Sequence, residues 1–283
     1  MSFLDRIRAC NVADLARYRP FRVADADVGL VRDDFARIIE PFPDVFGVSP
    51  AAVVLNPGLA SPAERTRAVD HVLRRLREEG HFPHWREELY PVAAGFGRPS
   101  LFAMERAAVA RFGVLAYGLH LNGYVRGPDG SLRMWIGRRA CDRPLEPGKL
   151  DQMVAGGQPA GLTLAENLAK ECAEEAGMPA DLVRRALPVG AVSYILERPE
   201  GLRRDVLFNY DIELPADFRP RNTDGEIAEF ILMSMDEIVA LVRDTDEFKF
   251  NCSVVLIDFL IRHGILAPEH PDYLELLLGL HRF

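Results

Sequence analysis

The segment Gly156–Met178, GGQPAGLTLAENLAKECAEEAGM, restricts this chain more than any other. A glycine-rich loop enters a stretch in which Thr163 and Glu166 have capping-box spacing and Gly177 is a stop signal. The spacing therefore predicts a helix over 163–176. At about 100° per residue, Leu164, Leu168 and Cys172 share one face. Glu171, Glu174 and Glu175 share an adjoining arc, and Glu175 falls inside the apolar stripe. Like charges at these spacings repel one another, and a carboxylate on a buried face is costly unless paired or bound to a metal. The pattern implies a cation, and hard oxygen ligands suit Mg2+ or Mn2+. An ordinary solvated acidic face is the competing reading, and the segment alone leaves both open.

The flanking pattern is that of a layered α/β unit. VLAYGLHLNGYVRGPDGSLRMWIGRRA reads as two strands around a Gly-Pro-Asp-Gly turn, and DQMVAGG as a short strand entering the glycine pair. VGAVSYILER, RRDVLFNYDIEL and GEIAEFILMS read as strands. A helix is expected from Met235, with Ser234 and Glu237 as its capping box, and the tail from about Asn251 is helical. Residues 1–112 read as mixed but mainly helical. MSFLDRIRACNVADLARY has helical spacing of Leu4, Ile7, Val12 and Leu15, and RPFRVADADVGLV reads as a strand pair. Ser61 and Gly80 bound a helix, and a last one is expected near SLFAMERAAVARFG.

Composition narrows the function classes. Acidic residues outnumber basic ones, 42 to 34, for a net charge of −8. That argues against a nucleic-acid binder, which needs a dense basic surface. The most apolar stretches are interrupted by Asp258, Arg262, His263 and Glu275, short of the ~20 residues that span a bilayer. No apolar signal core stands at the N-terminus and no CxxC pair occurs, so the expectation is a cytoplasmic protein without membrane partners.

The 156–178 segment resembles the box of the Nudix hydrolase family. Gly156 stands at the leading glycine, and Glu171, Cys172, Glu174, Glu175, Gly177 and Met178 match the later positions at the family spacing. Leu162 stands where the box has Glu, and Lys170 where it has Arg. In the family those two mainly orient the loop and helix. FGVLAYGLHLNGYV, MWIGRRA, PGKLDQMVAGGQPAG, DGEIAEF and FKFN extend the resemblance over nearly the whole chain. They are similar to a Nudix subfamily with an extra N-terminal domain, related to a thiamine-pyrophosphokinase-associated group. The resemblance implies a Nudix α/β/α sandwich with a mixed sheet at 114–283, preceded by a smaller α+β domain at 1–113. It implies an Mg2+- or Mn2+-dependent hydrolase of a small-molecule diphosphate, with thiamine diphosphate or its oxidised forms converted to the monophosphate. ADP-ribose or nucleotide-sugar hydrolysis, and a non-catalytic nucleotide sensor, are the alternatives. An isopentenyl diphosphate isomerase would need a cysteine in the strand before the box, and DQMVAGGQ has none.

In that reading Glu171, Glu174 and Glu175 hold the metal, with a backbone carbonyl near Ala155 or Gly156 as a further ligand. The general base is Glu171, Glu175 or Glu226, and Glu229 is the weaker choice. Arg138, Arg139 and Lys149, with the Gly156–Gly157 pair, are the candidate substrate-binding groups, since guanidinium forks suit phosphate. Asp151 would orient Lys149 or cap a turn. His120, Asn122, Trp85 and Trp135 could line a pocket, though core positions are the commoner fate of such residues. The four cysteines read as inert apolar residues. The N-terminal region would either wall the pocket or mediate a homodimer.

Overall fold

The computed structural model describes residues 1–143 and 145–283. Helix α1 (Phe3–Ala9) opens the chain under a reciprocal Ser2–Asp5 cap. Strands β1 (Tyr18–Val23) and β2 (Ala26–Arg32) form the expected pair, followed by α2 (Asp33–Ile39). β3 (Phe46–Val48) and β4 (Val53–Leu55) complete a four-stranded sheet in the order β2-β1-β4-β3. Helix α3 (Pro62–Glu78) starts where the spacing predicts, with the Ser61 side chain accepting from the Glu64 amide. A hairpin of β5 (Leu89–Val92) and β6 (Phe102–Glu105) and the short helix α4 (Val109–Phe112) close this region. Its core is aromatic: Phe112 lies against Phe21, Phe35 and Phe46 with ring centroids 5.0, 5.2 and 5.5 Å away.

Two expectations for this region fail. The first helix ends at Ala9 instead of running to Tyr18, because the Asn11 side chain takes the Ile7 carbonyl and competes with the helical ladder. Val12 and Leu15 are left exposed. The helix expected near Ser100–Gly113 is instead strand β6 followed by a 3-10 turn and α4. Phe102 and Met104 alternate inward and pair across to Val92 and Tyr90.

The larger unit is built on the hairpin of β7 (Leu115–Arg126) and β8 (Leu132–Arg139). The single strand expected over DQMVAGG is two, β9 (Leu150–Gln152) and β10 (Val154–Gly157), which pair with β8 and β7 respectively. Next come α5 (Leu164–Ala176), α6 (Ala180–Val183), β11 (Leu187–Arg198), β12 (Gly201–Glu213) and β13 (Ile227–Ser234). Three helices finish the chain: α7 (Met235–Asp244), α8 (Phe250–Arg262) and α9 (Tyr273–Gly279). The main path of the sheet is β11-β12-β7-β8-β13, parallel only between β7 and β12, so it is mixed. Leu168 and Cys172 of α5 are buried with Leu119, Leu121 and Val154 on one face. The terminal helices are buried on the other with Tyr194 and Leu207. The result is an α/β/α sandwich. Helix α1 joins the second layer: Phe3, Leu4 and Ile7 share a core with Leu256 and Phe259.

Candidate active site

Helix α5 forms as its local signals require. Thr163 accepts from the Glu166 amide, and Gly177 takes the left-handed conformation (φ 59°) that ends it. The helix lays Glu175, 6% exposed, against the free edge of β10, where its carboxylate accepts the Ala155 amide at 2.8 Å. Since Ala155 faces His120 on β7 but gives its N–H to Glu175, its carbonyl also points to the free edge beside that carboxylate. Glu171 lies against Gly156, where an added Cβ would sit 2.5 Å from the Glu171 carboxyl carbon. The leading glycine is therefore required by close approach. Glu174 is exposed, and Lys170 Nζ bridges it at 2.8 Å to Glu171 at 3.2 Å.

Burial pushes the Glu175 carboxyl well above the usual carboxylate range, the Ala155 amide opposes, and the nearby Glu171 adds to the rise. Burial also raises Glu171, against the pull of Lys170. Among the described residues the buried Glu175 has no cationic partner, while Lys170 serves the half-buried Glu171 and the exposed Glu174. Glu175 and Glu171 at the β10 edge, with the Ala155 carbonyl beside them, are hard-oxygen donors of the kind a divalent cation takes, while Glu174 stands exposed on Lys170.

Two side-chain amides tie the glycine loop to the helix. The Asn167 side chain, fully buried, donates to the Gly157 carbonyl at 2.8 Å and to Gln158 Oε1 at 3.2 Å. Gln158 in turn donates to the Leu162 carbonyl at 2.6 Å. The sequence analysis missed Asn167; its signal was an amide on the buried side of an amphipathic helix.

A cavity of about 540 Å3 opens beside this strand, with Ala155, Gly156 and Gly157 in its wall. Ala116 and Gly118 of β7 keep the floor low. Both units contribute: Tyr90 and Arg106 from the hairpin region, Arg203 and Asp205 from β12. Of the described lining residues eight are cationic and three acidic. Glu226 lines it too, its carboxylate 2.5 Å from Arg143.

The predicted phosphate-binding cations are placed differently from expectation. Arg138 is outside the cavity lining, bonded to Glu229 at 3.0 Å and to the Gly148 carbonyl at 3.0 Å. Lys149 is also outside it, donating to the Asp246 carbonyl. Arg139 does line the cavity but is tied to Asp151 at 2.8 Å. Asp151 thus orients Arg139, along with Lys249 at 3.2 Å, and not Lys149. Although burial acts the other way, those two cations hold the Asp151 carboxyl well below its ordinary range. Cys252 Sγ donates to Asp151 at 2.8 Å, and burial pushes its thiol far up, so it is inert as expected. His120 lines the cavity from a buried position, its Nδ1 2.8 Å from Gln152 Oε1. Asn122 lies away from the cavity, bonded to Asp211. Trp85 belongs to the N-terminal core beneath Arg74 and Arg77, and Trp135 to the α5 core, so neither is a stacking surface for a ligand.

The site is a carboxylate-bearing helix on a mixed sheet beside a cationic cavity. Residues 2–116 match a family model described as a domain of unknown function, DUF4743. A protein of Arabidopsis thaliana named "Nudix hydrolase 24, chloroplastic" is 45% identical over 278 residues, 97% of this chain and 76% of its own length. "Nudix hydrolase 20, chloroplastic" of the same plant is 42% identical, with the same shares covered. A solved MutT protein from Methanosarcina mazei Go1 is 18% identical, with 53% of this chain and 95% of that one aligned at a TM-score of 0.39. The chain belongs to the Nudix hydrolase family. Enzymes of this family generally use divalent metal ions. Among the described residues no helix is long and apolar enough to cross a membrane.

Proposed function

We propose that this chain is a cytoplasmic Mg2+- or Mn2+-dependent pyrophosphohydrolase. Its substrate is thiamine diphosphate or an oxidised derivative, cleaved to the monophosphate. The reading is carried by the meeting of Glu171 and Glu175 with the Ala155–Gly156 edge of β10, with Glu174 on the same helix, next to a cavity rich in guanidinium groups. The substrate assignment rests on the family resemblance. The cavity volume and its Tyr90 and Tyr117 rings, among cationic groups, accord with an organic diphosphate.

When bound, the divalent ion supplies neutralisation of phosphate charge and a more acidic water. The chain's own residues do the positioning. Glu171, Glu174 and Glu175 would hold the ion, and Asn167 and Gln158 keep the Gly156–Gly157 loop in register with them. Glu226 accepts the proton of the attacking water once substrate draws Arg143 away from it. The arginines stabilise the charge that grows on the leaving phosphoryl oxygens.

The test is turnover of a panel of thiamine diphosphate, its oxidised forms, ADP-ribose and a nucleotide sugar, read by product mass with and without Mg2+. Thiamine monophosphate should appear only with metal. Glu175→Gln keeps an acceptor for the Ala155 amide, so it should fold normally yet lose at least about 100-fold in kcat, as should Glu174→Gln. Full activity in both variants would reject the mechanism. Preferential cleavage of ADP-ribose would move the substrate to the nucleoside diphosphate class.

A further inference from the structure

The cations that the sequence offers for the substrate phosphates are largely committed. Arg138 and Lys149 lie off the cavity, and Arg139 and Lys249 both serve Asp151. Arg143 is held by Glu226, and Arg203 by Asp205 at 3.2 Å, while Arg204 of the lining donates to the Gly113 carbonyl at 3.1 Å. Yet a diphosphate needs cationic partners on the side that the metal does not cover. The N-terminal unit places three arginines in the lining, Arg86, Arg106 and Arg111, and the way it holds the first two is specific.

Glu105 is 2% exposed, although it is a carboxylate at the end of a strand. Its oxygens accept the backbone amides of Arg86 at 2.9 Å, Glu88 at 3.2 Å and Ala107 at 3.2 Å. The Arg106 amide adds a bond to the Glu88 carbonyl at 2.8 Å. One buried carboxylate thereby fixes the two turns that carry Arg86 and Arg106, both of which line the cavity. The same hairpin touches the box directly. The Tyr90 hydroxyl occupies the space beside Gly157, only 1.6 Å from where a Cβ would be, and the Leu89 carbonyl accepts the Ala160 amide at 2.8 Å. The Arg106 guanidinium lies over the Tyr90 ring, 5.6 Å from its centroid, and donates to the Glu88 carboxylate at 2.8 Å, a pairing that a bound phosphate would have to displace. Arg106 thus sits one ring away from the glycine pair that abuts Glu171.

We infer that the N-terminal unit completes the diphosphate site. Arg106 and Arg86 bind the substrate phosphates from this side, and Glu105 is the positioning residue that holds both turns. This rests on the reading of the cavity as a diphosphate site. It gives the domain matched at residues 2–116 a task that the box-bearing unit does not perform alone.

The test separates phosphate binding from metal chemistry. Inorganic pyrophosphate is titrated calorimetrically into the full chain with EDTA present, for the native protein and for Arg106→Ala, Arg86→Ala, Arg106→Lys and Glu174→Gln. Arg106→Ala should weaken pyrophosphate at least tenfold, Arg86→Ala less, and Arg106→Lys should recover part of the loss. With Mg2+ and thiamine diphosphate, KM should rise in Arg106→Ala by more than kcat falls. If Arg106→Ala does not fold, judged by circular dichroism, Arg106→Gln gives the same readout. Glu174→Gln should lose turnover while keeping its metal-free pyrophosphate affinity. Affinity within twofold of native in Arg106→Ala, or no pyrophosphate binding by the native chain, overturns the inference. Persistent turnover in Glu174→Gln would instead count against the hydrolytic mechanism and leave the phosphate site to the titration.

Discussion

His120 shows how a buried polar side chain at the cavity is kept in one state. Gln152 donates to the Cys252 carbonyl at 3.1 Å, so its Oε1 faces the imidazole and Nδ1 carries the proton. Burial, with Lys249 nearby, lowers the His120 pKa from 6.5 to about 4, which leaves the ring neutral at physiological pH. The unfolded chain then takes up this proton first as pH falls. The contribution of His120 to stability is complete above about 6.5 and is lost as pH falls towards about 4. At pH 5 the loss amounts to about 2 kcal/mol. Urea unfolding at pH 7 and pH 5 should show the native protein losing that much more than His120→Gln, which retains a partner for Gln152. Equal losses in the two proteins would remove this account. That His120 is a hydrogen-bonded core residue at a pocket was legible in the sequence; its partners were not, because Gln152 and Cys252 meet it only through strand pairing and the packing of α8.

At the scale of elements, the contact of the β5–β6 hairpin with β10 is set by one missing methyl group. Gly157 has ordinary extended backbone, so its glycine is demanded by space and not by conformation: a Cβ would meet the Tyr90 hydroxyl at 1.6 Å and the ring at 2.8 Å. Overpacking of this kind costs about 1–3 kcal/mol. Gly157→Ala should destabilise by that amount, and Tyr90→Phe in the same chain should recover part of it. A double-mutant cycle measured by urea denaturation reads the coupling, expected to exceed about 0.5 kcal/mol. Additive effects would mean that the hairpin does not press on the loop.

What sequence could show of these elements follows the range of the forces involved. Helices α3, α5 and α7 were legible because capping pairs such as Thr163 with Glu166 and the 3.6-residue period are local. The β6 strand was not, since helical-looking FAMERAAV is decided by its partner β5. Likewise β9 and β10 are distinct because they pair with different strands, which DQMVAGG does not record. The carboxylate trio was visible from spacing alone. The displacement of Arg138 and Lys149 was not, because Glu229 and Asp246 reach them across tens of residues of chain.

At the scale of the whole molecule, two features bind the units together. Helix α1 leaves the N-terminal sheet to bury Phe3, Leu4 and Ile7 among α7, α8 and α9, while the hairpin closes the cavity from the other side. Neither unit can unfold without stripping apolar surface or a cavity wall from the other, so the chain should lose structure in a single step. The two tryptophans report on this separately, since Trp85 belongs to the N-terminal core and Trp135 to the core under α5. In Trp135→Phe the fluorescence follows the N-terminal unit, and in Trp85→Phe it follows the box-bearing unit. Within each variant, the urea midpoint by fluorescence should coincide with that by far-ultraviolet circular dichroism. A fluorescence transition in either variant that precedes the loss of overall structure would show that the units unfold independently. The hairpin could not then be a fixed wall of the diphosphate site, because its arginines would leave the cavity while the box still stood.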